Sequence, residues 1–130
     1  SLFRYADADE TVAAGTVIFH SGAPGDCMYV VRTGQVDIVV GDRTVLQVGP
    51  GGVFGELALV DAGPRSASAV AVEGTSLVRV DGRKFQFLVQ QHPFFALAVM
   101  KLMAERLRGM NDRAAAEVAE RRLAPGDLKD

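Results

Sequence analysis

The chain has 130 residues, a single cysteine, 14 glycines and a net charge of −2. That is enough length for one domain with its own core, and Cys27 alone excludes an internal disulfide. Hydrophobic residues at 48% and charged residues at 23% exclude wholesale disorder, and 14 Lys plus Arg against 16 Asp plus Glu lacks the basic excess of a dedicated nucleic-acid binder. No apolar run approaches the ~20 residues of a membrane span, and Ser1-Leu2-Phe3-Arg4-Tyr5 has no signal-peptide pattern. A cytoplasmic protein with no membrane attachment is expected.

In chain order, short β-rich runs alternate with turn residues. Thr16-Val17-Ile18-Phe19 is followed by the turn Ser21-Gly22-Ala23-Pro24-Gly25-Asp26. Runs 27–32, 35–40, 44–48, 67–72 and 75–80 come next, punctuated by Thr33-Gly34, Gly41-Asp42, Gly49-Pro50-Gly51-Gly52 and Glu73-Gly74. Turn signals at this spacing predict an antiparallel β sandwich or barrel, with Gly41-Asp42 and Glu73-Gly74 as hairpin or near-hairpin connections. After Val80 the period changes. Asp81 is placed to N-cap a helix running to about Gln91, and Pro93 suits the first turn of the next helix. From Phe94 to Met103 nearly every residue is apolar, so burial on most sides is expected. Beyond that one stripe continues through Ala96, Met100, Met103, Leu107, Met110 and Ala114, a seam suited to a partner. The helix is expected to stop at Pro125-Gly126. Its length from Pro93 to Arg122, about 45 Å at ~1.5 Å per residue, exceeds a small barrel.

The stretch Phe54-Gly55-Glu56-Leu57-Ala58-Leu59-Val60-Asp61-Ala62-Gly63-Pro64-Arg65-Ser66-Ala67-Ser68 carries specific chemistry. Gly52 and Gly55 let backbone approach a ligand closely. Residues 55–60 are mostly helix formers behind a glycine-rich loop, and the N–H groups at a helix start suit an anion. Arg65, behind Gly63-Pro64, has a guanidinium that forks onto a phosphate. Ser66 adds a hydroxyl. Glu56 would repel a phosphate if adjacent to it, so its sensible partner is a ligand hydroxyl. The set suits a small phosphorylated sugar.

These residues resemble the phosphate-binding cassette of the cyclic nucleotide-binding domain family, which includes the catabolite activator protein, kinase regulatory subunits and gated channels. Phe54 to Ser68 is similar to that cassette without insertion or deletion. The likeness extends over roughly residues 10–112, through Ala14 to Phe19, Gly22, Gly25-Asp26, Met28 to Val31, Gly34 and the terminal helix. It implies a double-stranded β-helix or jelly roll of about eight antiparallel strands, mainly β, with a C-terminal helical subdomain and a long lid helix. The implied division is a β-roll over 1–81, hinge and lid helices over 82–124 and a tail over 125–130, all one domain. The resemblance assigns the ribose 2′-hydroxyl to Glu56 and the cyclic phosphate to Arg65. Gly55, the backbone N–H groups near Leu57 and Ala58, and Ser66 with Ala67 complete the ligand-binding set. Arg106, Met110 and Asn111 match the part of the lid helix that meets the base. Family members that hold adenine with a Thr-Ser pair have Met110-Asn111 here instead. The expected ligand is cAMP, with cGMP the alternative, and no cofactor or metal is implied.

The residues beyond the lid helix also bear on function. Transcription factors of this family continue into a helix-turn-helix, which residues 113–130 are too few to hold. No direct DNA contact is expected, and Arg121-Arg122 reads as a solvated helix face. A free-standing sensor is favoured over the excised half of a larger regulator. The seam Met100, Met103, Leu107 and Met110 would serve a homodimer or an effector protein, and a ligand-free interaction module of the same fold is the alternative function. Catalysis is not expected. Metal-holding β-helix folds cluster histidines and carboxylates, whereas His20 and His92 lie in different elements. Cys27 has no histidine neighbour in sequence to activate it, and no Ser-His-Asp set is present to nominate.

Overall fold

Strands begin and end where the glycines and prolines punctuate the β-rich runs. The computed structural model describes residues 10–61 and 63–122. The opening Ser1-Leu2-Phe3-Arg4, Ala62 of the cassette, the stop at Pro125-Gly126 and the tail lie outside the described residues. Eight strands are described: β1 Glu10–Val12, β2 Val17–Phe19, β3 Cys27–Thr33, β4 Val36–Val40, β5 Arg43–Val48, β6 Val53–Phe54, β7 Ser68–Ala71 and β8 Thr75–Asp81. They form two four-stranded sheets, ordered β1-β8-β3-β6 and β2-β7-β4-β5, with every pairing antiparallel. This is the jelly-roll class, mainly β with α. β1 and β6 are three and two residues long, too short for alternation to mark them in the sequence.

The core lies between the sheets. Val31, Phe54 and Leu77 from the first sheet meet Val36, Val48 and Ala69 from the second, each contributing the inward side of its strand. Gly41-Asp42 joins β4 to β5 as a hairpin, as expected. Glu73-Gly74 does not make one. β7 pairs with β2 and β4, β8 with β1 and β3, so residues 72–74 carry the chain from one sheet to the other. Residues 72–74 are exposed, and Thr75 anchors the end of the crossing in the core. It is buried, and its hydroxyl donates to the Glu73 carbonyl at 2.8 Å and accepts from the Gln35 amide at 3.3 Å. A buried polar group so satisfied costs little.

Three helices are described: α1 Leu57–Val60, α2 Gly82–Gln91 and α3 Pro93–Arg122. Asp81 caps α2 as its residue type predicts, with its carboxylate accepting from the Lys84 amide at 2.8 Å. In α3 the apolar stretch is not buried on most sides. Phe95 and Val99 are buried, but Phe94 is 82% exposed and Leu97 and Met100 are also exposed. A single helix buries one stripe at i, i+4 and leaves the remaining apolar residues outside. From Asn111 to Arg121 every residue is exposed. The chain divides into two compact units, Ser1–His92 and Pro93–Asp130.

Candidate functional site

Gly-Ala-Pro-Gly between β2 and β3, and Gly-Pro between α1 and β7, bring two loops together. The Gly22 amide donates to the Arg65 carbonyl at 2.7 Å, the Arg65 amide donates to the Ala23 carbonyl at 2.8 Å, and Pro24 bridges Pro64. The Ser21 amide donates to the Ser68 hydroxyl at 2.9 Å. This short antiparallel contact clamps the Arg65 backbone on both sides. An open concavity of about 270 Å³ lies beside it, lined by Gly22, Pro24, Gly25, Gly63 and Pro64.

The Arg65 side chain turns inward and is only 8% exposed. Nη1 donates to the Gly55 carbonyl at 3.0 Å, and Nη2 donates to the Cys27 carbonyl at 2.8 Å, with the Cys27 sulfur at 3.6 Å. Cζ lies 4.1 Å from the centre of the Phe19 ring, a distance for cation–π attraction. Nε is buried without a hydrogen-bond partner. Among the described residues, the partners of the guanidinium are carbonyls, a sulfur and a ring, none of them a carboxylate. Two glycines make room for it. A Cβ on Gly25 would sit 2.6 Å from Nε, and one on Gly55 would sit 2.7 Å from Nη1. Gly55 also has φ +77°, a left-handed conformation that favours glycine.

An aromatic layer lies beneath the guanidinium. Phe19 packs near Phe54 at 5.9 Å and Tyr29 at 6.3 Å, and Tyr29 stacks on Phe54 at 5.3 Å. On β8, Arg79 lies opposite Tyr29. Its Nε donates to the Cys27 sulfur at 3.3 Å, and its Nη2 pairs with Asp26 at 3.3 Å. Burial, and then a hydrogen bond with Cys27, push the Tyr29 hydroxyl up to about 12.

The structure brings Gly55, Glu56, Leu57, Ala58 and Arg65 into one neighbourhood, ten residues of chain folded back through a single hydrogen bond. Glu56 is buried at the N-cap of α1 without bonding the helix through its side chain. α1 is four residues long. The Ala58 amide already leans on the Gly55 carbonyl at 3.4 Å. Ser66 is exposed beside Arg65, and Ala67 is buried. Arg106, Met110 and Asn111 lie on α3, with Met110 and Asn111 exposed. Reading motifs in sequence missed Phe19, Gly25 and Cys27 as neighbours of Arg65. Gly25 and Cys27 carried a signal, lying in or just after a Gly-Pro turn about 30 residues before the cassette, whereas Phe19 looked like any strand aromatic.

A jelly roll with a glycine-lined turn folded onto a buried arginine defines a small-ligand β-roll. Residues 9–92 match the family described as "Cyclic nucleotide-binding domain", and the chain belongs to that family. It is 38% identical over 123 residues to the "Cyclic AMP receptor protein" of Thermus thermophilus, covering 88% of this chain and 57% of that protein. The solved catabolite activator protein of Thermus thermophilus superposes with a TM-score of 0.81 at 34% identity, over 90% of this chain and 57% of its own. A structure from a "cyclic-GMP-dependent signalling pathway" of bacterial phytopathogenesis superposes with a TM-score of 0.74 at 32% identity, over 83% of this chain and 89% of its own. The chain thus spans little more than half the length of the Thermus relatives.

Proposed function

We propose that the chain is a non-catalytic cyclic-nucleotide sensor, with cAMP the favoured ligand and cGMP the alternative. The observation that carries this reading is Arg65, a guanidinium more than nine-tenths buried with an unpartnered Nε. A buried polar donor without a partner is costly, and a cyclic phosphate supplies both the acceptor and the opposite charge. Glu56, held at the start of α1, takes the ribose 2′-hydroxyl, while Gly55, Leu57, Ala58, Ser66 and Ala67 line the phosphate and sugar. Arg106, Met110 and Asn111 take the base, a role that rests on the family resemblance. Support for cAMP comes from the name of the Thermus relative; the bacterial cyclic-GMP structure supports the alternative.

Signalling in this reading needs differential contact. The phosphate draws the cassette around Arg65, and the lid helix binds the closed state better than the open one. The seam Met100, Met103, Leu107 and Met110 passes the change to a second copy or an effector protein. Among the described residues no three His, Cys, Asp or Glu side chains are grouped as a metal requires, and no single described helix is long and apolar enough to cross a membrane. This reading takes the site as a ligand hold, not a catalytic centre, and places the protein in the cytoplasm.

Calorimetry with cAMP and cGMP tests the assignment. Arg65→Ala removes the charged partner of the phosphate and is expected to cost about 2–5 kcal/mol of binding. Glu56→Gln is expected to cost less. Equal nucleotide binding by wild type and Arg65→Ala overturns the site. If wild type binds neither nucleotide, the ligand-free interaction module of the same fold replaces the sensor.

A further inference from the structure

The Arg65 guanidinium is held at three points. Nη1 is tied to the Gly55 carbonyl and Nη2 to the Cys27 carbonyl, and these two bonds fix two corners of the plane. They leave the group free to rock about the line joining them. Phe19 removes that freedom, with Cζ 4.1 Å from its ring centre. The ring is itself wedged by Phe54 and Tyr29. Gly55 permits the arrangement, because a Cβ there would lie 2.7 Å from Nη1. With Nη1 and Nη2 each engaged through at least one N–H, the guanidinium nitrogen left without any partner is Nε.

From this geometry we infer that Phe19 is a positioning residue for anion binding: its ring face, with the Gly55 and Cys27 carbonyls, holds the Arg65 guanidinium with Nε–H presented to the phosphate. The inference rests on the proposed nucleotide site and deepens it. It separates two roles that a core aromatic combines. Leucine at position 19 fills similar apolar space against Phe54 and Tyr29 but offers no π face to the cation. Tyrosine keeps the face.

Affinity for cAMP and cGMP is measured by calorimetry on wild type, Phe19→Leu and Phe19→Tyr, with thermal melts to confirm folding. Phe19→Leu is expected to bind about tenfold more weakly, the scale of a desolvated cation–π contact, and Phe19→Tyr to bind like wild type. A second readout needs no ligand. In the free wild-type protein, the Arg65 side-chain NMR resonances are expected upfield, shielded by the ring current, and at ordinary positions in Phe19→Leu. Wild type binding a nucleotide with Phe19→Leu folded and equally tight overturns the inference alone. Unshielded Arg65 resonances in wild type also overturn it, even if Phe19→Leu fails to fold. Wild type binding neither nucleotide overturns the site reading beneath it.

Discussion

Tyr29 shows how one side chain reports its surroundings. Its ring stacks on Phe54 while its hydroxyl is pushed up to about 12, first by burial and then by the bond with Cys27. The unfolded chain would ionise this phenol near 10 and the folded one near 12, so folding retains a proton that the unfolded chain releases. The contribution is complete below about pH 10 and is lost as pH rises towards 12. We expect the thermal midpoint of wild type to fall more steeply between about pH 10 and 12 than that of Tyr29→Phe, and parallel curves would refute this. At this scale legibility depended on chemical rarity. An Arg behind Gly-Pro is unusual enough for its type to point to an anion, so Arg65 was visible in sequence. Phe19 was not, because an aromatic at a strand end has the same appearance whether it faces a core or a cation.

Among the elements, the cassette and the β2–β3 turn act as a pair. Gly55 and Gly25 border the same guanidinium for different reasons. Gly55→Ala would place a side chain at φ +77°, costing about 1–2 kcal/mol of stability. Gly25 has no such backbone demand, but its Cβ would meet Arg65 Nε at 2.6 Å and Ala58 Cβ at 2.9 Å. Arg65 must then move. We therefore expect urea unfolding to register both variants, Gly55→Ala through its backbone and Gly25→Ala through displaced neighbours, and nucleotide titration to register Gly25→Ala as well. Unchanged nucleotide affinity in Gly25→Ala would refute the shared cradle. The strands of five or more residues, the Gly41-Asp42 hairpin and the Asp81 cap were legible because local propensity decides them. The passage at Glu73-Gly74 was not, because a hairpin and a sheet-to-sheet crossing use the same turn residues. What distinguishes them is where β7 and β8 find partners.

For the whole molecule, α3 sets the open question of assembly. Met100, Leu107 and Met110 are each more than half exposed and recur at seam spacing, while Met103 is partly buried. A second copy of the helix would cover them. Sedimentation equilibrium is expected to give a dimer, with Leu107→Glu shifted to monomer. A monomer both with and without nucleotide rules out the homodimer and leaves an effector as the seam's partner.

Length and composition by themselves determined a domain with no internal disulfide, and glycine placement determined a β-rich body followed by a long helix. The cassette spelling determined the family, because a ligand that demands close backbone approach and a charged fork leaves those residue types at fixed offsets. Tertiary structure alone decided the company Arg65 keeps. Gly25, Cys27 and Phe19 reach it only through the pairing of two loops about 40 residues apart. Contacts across that separation arise from the packing of two sheets, and no local preference along the chain records them. The 14 glycines therefore came to mean more than turns, since two of them form the space around the buried cation.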